Sequence, residues 1–160
     1  MEKRKAIRLK DYDYSQNGAY FVTICSGKKE HIFGKVVGAG HPAGPCTQLS
    51  YAGKIVDKYI RSIPDIYKGV YMDAYVVMPN HVHLLLRIDK SYGPAGCPAP
   101  TTDLSKIISA VKSLSSREAG KKLWQRSFYE HICRDYRDYL EIWNYIDTNP
   151  ARWAEDDYYI

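Results

Sequence analysis

The chain has 160 residues, of which 45% are hydrophobic and 26% charged, and its formal net charge is +5 at pH 7. This length and composition favour one globular domain that buries its own core and folds unaided. The N-terminus, MEKRKAIRLK, lacks the apolar region of a signal peptide, and no segment reaches the length of a membrane span. We therefore expect a cytoplasmic protein rather than a secreted or membrane-spanning one.

Positive charge is concentrated at the N-terminus, where half of the first ten residues are Lys or Arg. Such a chain has nucleic acid as a natural partner, although a modest positive charge is also common in proteins that bind none. The phosphate-contact candidates in this segment are Lys3, Arg4, Lys5 and Arg8.

The four cysteines, Cys25, Cys46, Cys97 and Cys133, form no CxxC pair and no short metal-ligand spacing. This arrangement favours four reduced thiols over a disulfide framework or a structural zinc site.

Elements of alternating type follow one another in the first half of the chain. Tyr20–Ser26 is aromatic and β-branched and predicts a strand, and apolar residues at helical spacing between Ala52 and Ile63 predict an amphipathic helix. Two further strands are predicted over Tyr71–Met78 and His81–Ile88. Pro79 and Asn80 alone separate them, which indicates a tight antiparallel hairpin.

The second half continues the alternation. Apolar residues from Leu104 to Leu114 predict a helix, with Thr101, Thr102 or Asp103 as its N-cap. A fourth strand is predicted within Leu123–Ile132, and a helix from about Asp135 to Thr148 with a buried stripe of Tyr139, Leu140, Trp143 and Ile146. The order β-α-β-β-α-β-α predicts an α+β, ferredoxin-like fold, in which helices cover one face of an antiparallel sheet and a C-terminal helix is added.

Two Gly/Pro-rich stretches, near residues 38–46 and 93–100, interrupt these elements. Gly and Pro at this density predict loops, and the first stretch misses the spacing of a phosphate-binding glycine motif. We interpret both as insertions in a single domain that spans residues 1–160.

The stretch YVVMPNHVHLLL, residues 75–86, places two histidines in an apolar strand. Alternate strand residues share a face, so Val82, Leu84, Leu86 and Ile88 should pack beneath the helices. His81, His83, Leu85 and Arg87 should then stand on the open face, where a ligand can reach them. An isolated His-x-His pattern fits either a metal site or a solvated strand face.

Two later motifs favour the metal site. They are WQRSFYEH, residues 124–131, and WNYIDTNP, residues 143–150. Together with MPNHVHLLL they resemble the REP-associated tyrosine transposases of the single-tyrosine HUH family, which is named for a His-hydrophobic-His metal motif. The resemblance extends from YFVTICS to NPARW. It implies that His81 and His83 bind a metal from a central strand and that Tyr145, on a following helix, is the nucleophile.

Asn149 lies four residues after Tyr145, so the two side chains can address one point from the same helical face. Asn149 is therefore a candidate third ligand, but Asn before Pro150 is equally a good N-cap for a short helix. Two imidazoles and an amide oxygen suit Mg²⁺ or Mn²⁺, and zinc fits the histidines as well.

The resemblance implies a metal-dependent DNA endonuclease and strand transferase of DNA transposition and recombination, acting in the nucleoid as a monomer or homodimer. Its substrates would be single-stranded DNA hairpins, the REP-like palindromes, cut through a 5′-phosphotyrosine intermediate. Arg87 on the predicted open strand face and Arg126 in WQRSFYEH are candidate phosphate contacts, and Arg126 is equally well interpreted as a solvated charge. Two alternatives stay open. One is a non-catalytic module that stacks single-stranded nucleic acid, and the other is a metal-dependent phosphodiesterase that uses water.

Overall fold

The computed structural model describes residues 18–38, 44–89 and 103–160. The strands are β1 (Gly18–Cys25), β2 (Gly34–Val37), β3 (Cys46–Leu49), β4 (Val70–Val77), β5 (His81–Ile88) and β6 (Tyr129–Ile132). The helices are α1 (Tyr51–Arg61), α2 (Ile63–Ile66), α3 (Leu104–Ala119) and α4 (Tyr136–Thr148), and 3-10 turns occupy Gly27–Lys29 and Pro150–Glu155.

Within the described residues, four strands form one antiparallel sheet in the order β4-β5-β1-β6. β5 lies between β1 and β4, and β1 lies between β5 and β6, so each β-α-β unit is split by a strand of the other, which confirms the predicted α+β fold class. The tight hairpin is also confirmed, because Val77 pairs with Val82 and the Met78 N–H donates to the His81 carbonyl at 2.8 Å.

The core lies between the sheet and the helices α1 and α3. Val82, Leu84, Leu86 and Ile88 of β5 are all buried in it, as their alternation predicts. The β1 residues on the same face and the apolar stripes of α1 and α3 complete it: Tyr20, Val22, Ile24, Ala52, Val56, Ile60, Leu104, Ile107, Ile108 and Val111. Asp103, one of the three predicted caps, accepts a hydrogen bond from the Ser105 N–H and begins α3.

The segment predicted as a fourth strand is a strand only over Tyr129–Ile132, so the prediction that it extends from Leu123 is wrong at its N-terminal end. Trp124 makes a single bridge with Ser26, and its ring packs on Phe33 in the core at a centroid distance of 4.7 Å. The indole N–H donates to the Ser115 hydroxyl at 2.9 Å. The apolar character of this segment therefore reflects insertion into the core rather than sheet pairing.

The hairpin of β2 and β3 has no counterpart in the predicted order. The first Gly/Pro-rich stretch contributes the connection between these strands, of which residues 39–43 lie outside the described residues, and Cys46 already belongs to β3. The second stretch, near residues 93–100, lies wholly outside them.

Helix α4 begins and ends close to its predicted bounds, but its predicted buried stripe is wrong. Along α4, which the structure describes throughout, Ile146 alone is buried, whereas Leu140 and Trp143 are 45% and 41% exposed. The helix packs on the second face of the sheet, against β4 and β5, without another helix above it. The apolar residues of α4 keep their helical spacing, but most of them face solvent.

We expect Gly53→Ala to destabilise the protein, although the same change in an exposed helix interior stabilises by about 0.5–1 kcal/mol. A Cβ at Gly53 would lie 2.0 Å from the Phe33 carbonyl oxygen, which belongs to the backbone and cannot rotate away. The clash should lower the free energy of unfolding by roughly 1–3 kcal/mol, measured by urea denaturation. An unchanged or higher stability would show that the backbone at Phe33 moves freely.

Candidate functional site

His81 and His83 lie side by side on β5 and face away from the α1–α3 core. They are 0% and 1% exposed, so the prediction that they stand on an open sheet face is wrong. Helix α4 and the segment that follows it cover this face, with the rings of Tyr145 and Tyr158 at 5.2 Å from His83 and 4.5 Å from His81. The histidines therefore sit in a closed pocket.

Each imidazole is oriented by a hydrogen bond at Nδ1. His81 Nδ1 lies 2.7 Å from Asn80 Oδ1, and His83 Nδ1 lies 2.8 Å from the hydroxyl of Thr23 on the neighbouring strand. The two Nε2 atoms then point toward each other and are 3.0 Å apart. Such outer hydrogen bonds are the usual means by which proteins fix the ring orientation of metal-binding histidines.

The hydrogen bonds of Asn80 decide which nitrogen of His81 carries the proton. The Asn80 amide nitrogen donates to the carbonyls of Tyr158 at 2.8 Å and Lys29 at 3.3 Å, so its oxygen must face the imidazole. Neutral His81 therefore holds its hydrogen on Nδ1 and directs the Nε2 lone pair into the pocket. If the Thr23 hydroxyl accepts a hydrogen bond from His83 Nδ1, the lone pairs of the two Nε2 atoms face and repel each other. A cation bound between the two nitrogens would remove this repulsion.

The electrostatic environment keeps both imidazoles neutral in the free protein. Burial lowers the pKa of His81 to about 4, with Asp156 opposing and Lys29 adding to the shift. Burial, together with His81, lowers the pKa of His83 well below its usual value. Neutral imidazole is the form that binds metal ions, so the pocket holds its two histidines in the ligating state near neutral pH.

Tyr145 brings a hydroxyl to the same point. Its oxygen lies 3.4 Å from His83 Nε2 and 3.2 Å from Asp156 Oδ2, while its ring contacts Phe21 edge-on at a centroid distance of 6.1 Å. Tyr145 is 36% exposed and lines a cavity together with Asn149 and Asp156, so this side of the histidine pocket adjoins an accessible cavity. Burial and Asp156 raise the pKa of Tyr145, so the phenol is protonated in the free protein.

Asn149 lies one helical turn beyond Tyr145 and is buried. It occupies the N-cap position of the 3-10 turn Pro150–Glu155, as the alternative predicted, but its side chain makes no capping hydrogen bond. The amide nitrogen donates to Asp156 Oδ2 at 2.8 Å, and Asn149 Oδ1 is buried with no hydrogen-bond partner among the described residues. A buried amide oxygen without a partner fits a cation ligand, because burial alone would be costly.

Asp156 is the site residue that the sequence did not reveal. Its carboxylate lies with the Nε2 atoms of His81 and His83 in a group whose ligand atoms are all within 4.8 Å of one another, and these three side chains could hold a metal ion. It follows α4 through a 3-10 turn, and its neighbours Glu155 and Asp157 are acidic too. No spacing rule singles it out, although an acidic residue soon after the Tyr145–Asn149 turn was a possible signal.

Of the other predicted DNA contacts, Arg87 and Arg126 belong to the described residues and neither bonds to the histidines. Arg87 is bonded to Asp73 at 3.1 Å and stacks over Tyr71, so its charge is already paired. Arg126 is exposed in the segment before β6. Lys3, Arg4, Lys5 and Arg8 lie outside the described residues.

His131 is placed by β6 rather than by the pocket. Its Nε2 lies 2.8 Å from Asp138 Oδ2 in the first turn of α4, so it links β6 to that helix. Its position in WQRSFYEH is explained by this structural contact.

Comparisons with known proteins identify what this chain is similar to. No family model matches the chain. A protein of Haemophilus influenzae named only as uncharacterized is 33% identical over 98% of this chain and 93% of its own length. The REP-associated tyrosine transposase of Escherichia coli K12 is 29% identical over 82 residues, which are 51% of this chain and 44% of that protein. Over about half of its length, the chain is thus similar in sequence to a REP-associated tyrosine transposase.

A solved structure of a REP-associated tyrosine transposase bound to a REP hairpin has the same fold. Its TM-score is 0.64, with 19% identity over 96% of this chain and 76% of that chain. The resemblance that the motifs indicated is thereby confirmed. Among the described residues, no helix is both long enough and apolar enough to span a membrane.

We expect the stability of the metal-free protein to fall as pH falls from 6.5 toward 4. In this range the unfolded chain binds a proton at His81 that the folded chain, with its pKa of about 4, does not. His81 alone should remove roughly 3 kcal/mol from the free energy of unfolding across this window. Urea denaturation in the presence of a chelator would measure it, and His81→Gln should flatten the dependence. Equal pH slopes for both proteins would contradict the burial effect.

Proposed function

We propose that this protein nicks and rejoins single-stranded DNA, with Tyr145 as the nucleophile and a divalent metal ion bound beside it. The observation that carries the proposal is the position of the Tyr145 hydroxyl, 3.4 Å from His83 Nε2 at the mouth of an otherwise closed histidine pocket. The relationship to REP-associated tyrosine transposases supports DNA hairpins of REP type as the substrate class.

The donor set in the pocket fits a metal ion. The Nε2 atoms of His81 and His83 and the unpartnered Asn149 Oδ1 would supply two nitrogen ligands and one oxygen ligand, which suits Mg²⁺ or Mn²⁺. We assign His81, His83 and Asn149 as the ligands. When bound, the ion would act as a Lewis acid on the scissile phosphate.

Tyr145 performs the covalent step. Its phenol oxygen forms a bond to phosphorus as the bond from phosphorus to the 3′ oxygen breaks, giving a 5′-phosphotyrosine and a free 3′-hydroxyl. The phenol proton points at Asp156 Oδ2, 3.2 Å away, and we assign that carboxylate as its acceptor. The leaving 3′ oxygen takes a proton from water. Because the linkage retains the energy of the broken phosphodiester, another 3′-hydroxyl can attack it and rejoin the DNA without ATP.

Water is kept from competing with Tyr145 by the walls of the pocket. The rings of Phe21, Tyr158 and Trp153 surround the histidines at centroid distances of 5.2 Å to His83, 4.5 Å to His81 and 5.8 Å to His81. The phenol hydroxyl is thus the protein group best placed at the opening. This enclosure favours phosphotyrosine formation over the water-using phosphodiesterase.

We expect Tyr145→Phe to bind hairpin DNA with unchanged affinity and to form no covalent product. The substitution keeps the ring contacts with Phe21 and His83 but removes the attacking oxygen. The measurement is a denaturing gel of protein with end-labelled hairpin DNA and Mn²⁺ or Mg²⁺. Label 3′ of the cut should migrate with wild-type protein, and label 5′ of it should run free.

Tyr139→Phe is the matched control, because it removes a hydroxyl from the same helix that bonds to Asp73 at 2.9 Å and not to the histidines. It should form the adduct as wild type does. An adduct from Tyr145→Phe would move the nucleophile to another tyrosine. Cutting without an adduct would favour the water-using enzyme, and binding without any cutting by wild type would favour the non-catalytic module.

We expect a titration with Mn²⁺ to distinguish the assigned metal ligands from the proton acceptor by the loss of Mn²⁺ affinity in each variant. His83→Ala and Asn149→Ala should weaken Mn²⁺ binding in calorimetry, and the loss for His83 should exceed the roughly 10- to 100-fold typical of an outer hydrogen-bond partner such as Thr23 in Thr23→Val. Asp156→Asn should retain Mn²⁺ affinity to within about tenfold but slow adduct formation by about 100-fold or more. An affinity loss for Asp156→Asn as large as that for His83→Ala would make Asp156 a ligand instead.

A further inference from the structure

A second pocket lies between α3 and the segment that leads to β6. It has a volume of about 460 Å³, and its lining includes the cations Lys112, Lys122 and Arg126 and the polar side chains Ser109, Ser113 and Gln125. None of the described residues that line it is acidic. Three cations, hydroxyl groups and an amide around one cavity form an environment suited to a polyanion.

The cations of the pocket lie close to one another, and their desolvation and mutual repulsion are unfavourable unless an anion binds. Lys112 Nζ donates to the Arg126 carbonyl at 2.9 Å, which brings the α3 lysine against the opposite wall. Burial, together with the nearby charge of Lys122, lowers the pKa of Lys112. A bound anion would offset both the desolvation and the mutual repulsion of these ammonium groups.

The pocket is adjacent to the proposed catalytic site. The Gln125 N–H donates to the Cys25 carbonyl at 3.0 Å, and Cys25 is the residue of β1 that pairs with His81. Two strand spacings, roughly 10 Å, therefore separate the backbone of Gln125 from that of His81. Lys112 and Ser109 lie on α3, which packs on the opposite face of the sheet, so the pocket is reached around the end of β1.

We propose that the Lys112–Lys122–Arg126 pocket binds backbone phosphates of the single-stranded DNA that flanks the cut linkage. The proposal rests on the proposed function for its substrate and adds a second contact region to it. The cationic and hydroxyl lining suits a phosphodiester backbone. Trp124 also lines the pocket, but it is 2% exposed and its indole N–H is bonded to Ser115, so its ring is not presented for base stacking. The contact is consequently one of charge and is independent of sequence.

The test compares two charge-matched double variants of the full chain. Lys122→Gln with Arg126→Gln removes two pocket cations and leaves Lys112, which is half-buried, in place. Lys54→Gln with Lys68→Gln removes two exposed lysines from α1 and the turn before β4. Fluorescence anisotropy of labelled hairpin DNA with single-stranded tails would be measured over a range of chloride concentrations, and adduct yield at saturating protein would be measured in parallel.

We expect the pocket variant to bind roughly tenfold more weakly than the control variant and its salt slope to fall by about 1.4, that is about 0.7 per lost phosphate contact. Its adduct yield at saturation should equal that of wild type. Equal affinities and slopes for the two double variants would overturn the proposal. Replacing chloride with phosphate at equal ionic strength should lower DNA affinity more in wild type and in the control variant, which both keep the pocket, than in the pocket variant, and an equal loss in all three would also overturn the proposal.

Failure of the proposed function gives a different result. In that case wild type forms no adduct, while the difference in DNA affinity between the two double variants is unaffected.

Discussion

The enclosure of β5 is the constraint on which the rest of the structure depends. This strand pairs with β4 on one edge and β1 on the other, and it is covered on one face by α1 and α3 and on the other by α4 and the chain after it. Apolar side chains satisfy the first face by burial alone. On the second face two imidazoles are buried, which is favourable only if they stay neutral and each ring nitrogen has a partner. Thr23 and Asn80 supply partners for Nδ1, and this leaves both Nε2 atoms facing one another.

The segment from Tyr145 to Tyr158, which covers the histidines, supplies the other functional groups of the pocket. Between Tyr145 and Tyr158 the chain contributes a hydroxyl, an amide, a carboxylate and an aromatic wall within fourteen consecutive residues. The Tyr158 carbonyl accepts from Asn80, and the Tyr158 N–H donates to Asp156 Oδ1 at 2.7 Å, so the same segment closes the pocket and fixes its acidic group. The packing of this one segment consequently decides both whether the pocket is closed and where its reactive groups lie. A disturbance of the C-terminal segment should affect the orientation of the imidazoles as well as the position of the phenol.

Local sequence patterns predicted the buried side chains correctly for elements that pack one apolar face against the core. The alternation in β5 and the helical spacing in α1 and α3 predicted which side chains form the core, because each element presents one apolar face to it. The same reasoning failed for Leu140 and Trp143, which keep a helical apolar period but remain exposed because no second layer covers α4. It also failed at Trp124, where an apolar run that resembles a strand enters the core as a loop. Periodicity predicts a face, but only the packing of other elements decides whether that face is buried.

The sequence by itself determined the order of the four sheet strands and of α1, α3 and α4, the histidine pair on one face of β5, and the placement of Tyr145 and Asn149 on one helical face, since these follow from the fixed periods of strand and helix. The tertiary structure alone decided that the histidine face is closed, that Thr23 and Asn80 orient the two rings, and that Asp156 joins them. The physical reason is that these arrangements depend on contacts between distant residues: Thr23 and His83 are 60 positions apart, and Asn80, although adjacent to His81, is itself oriented by the Tyr158 carbonyl 78 positions away. Local periodicity carries no information about such distances, which are set by strand pairing and by how the C-terminal segment packs across the sheet.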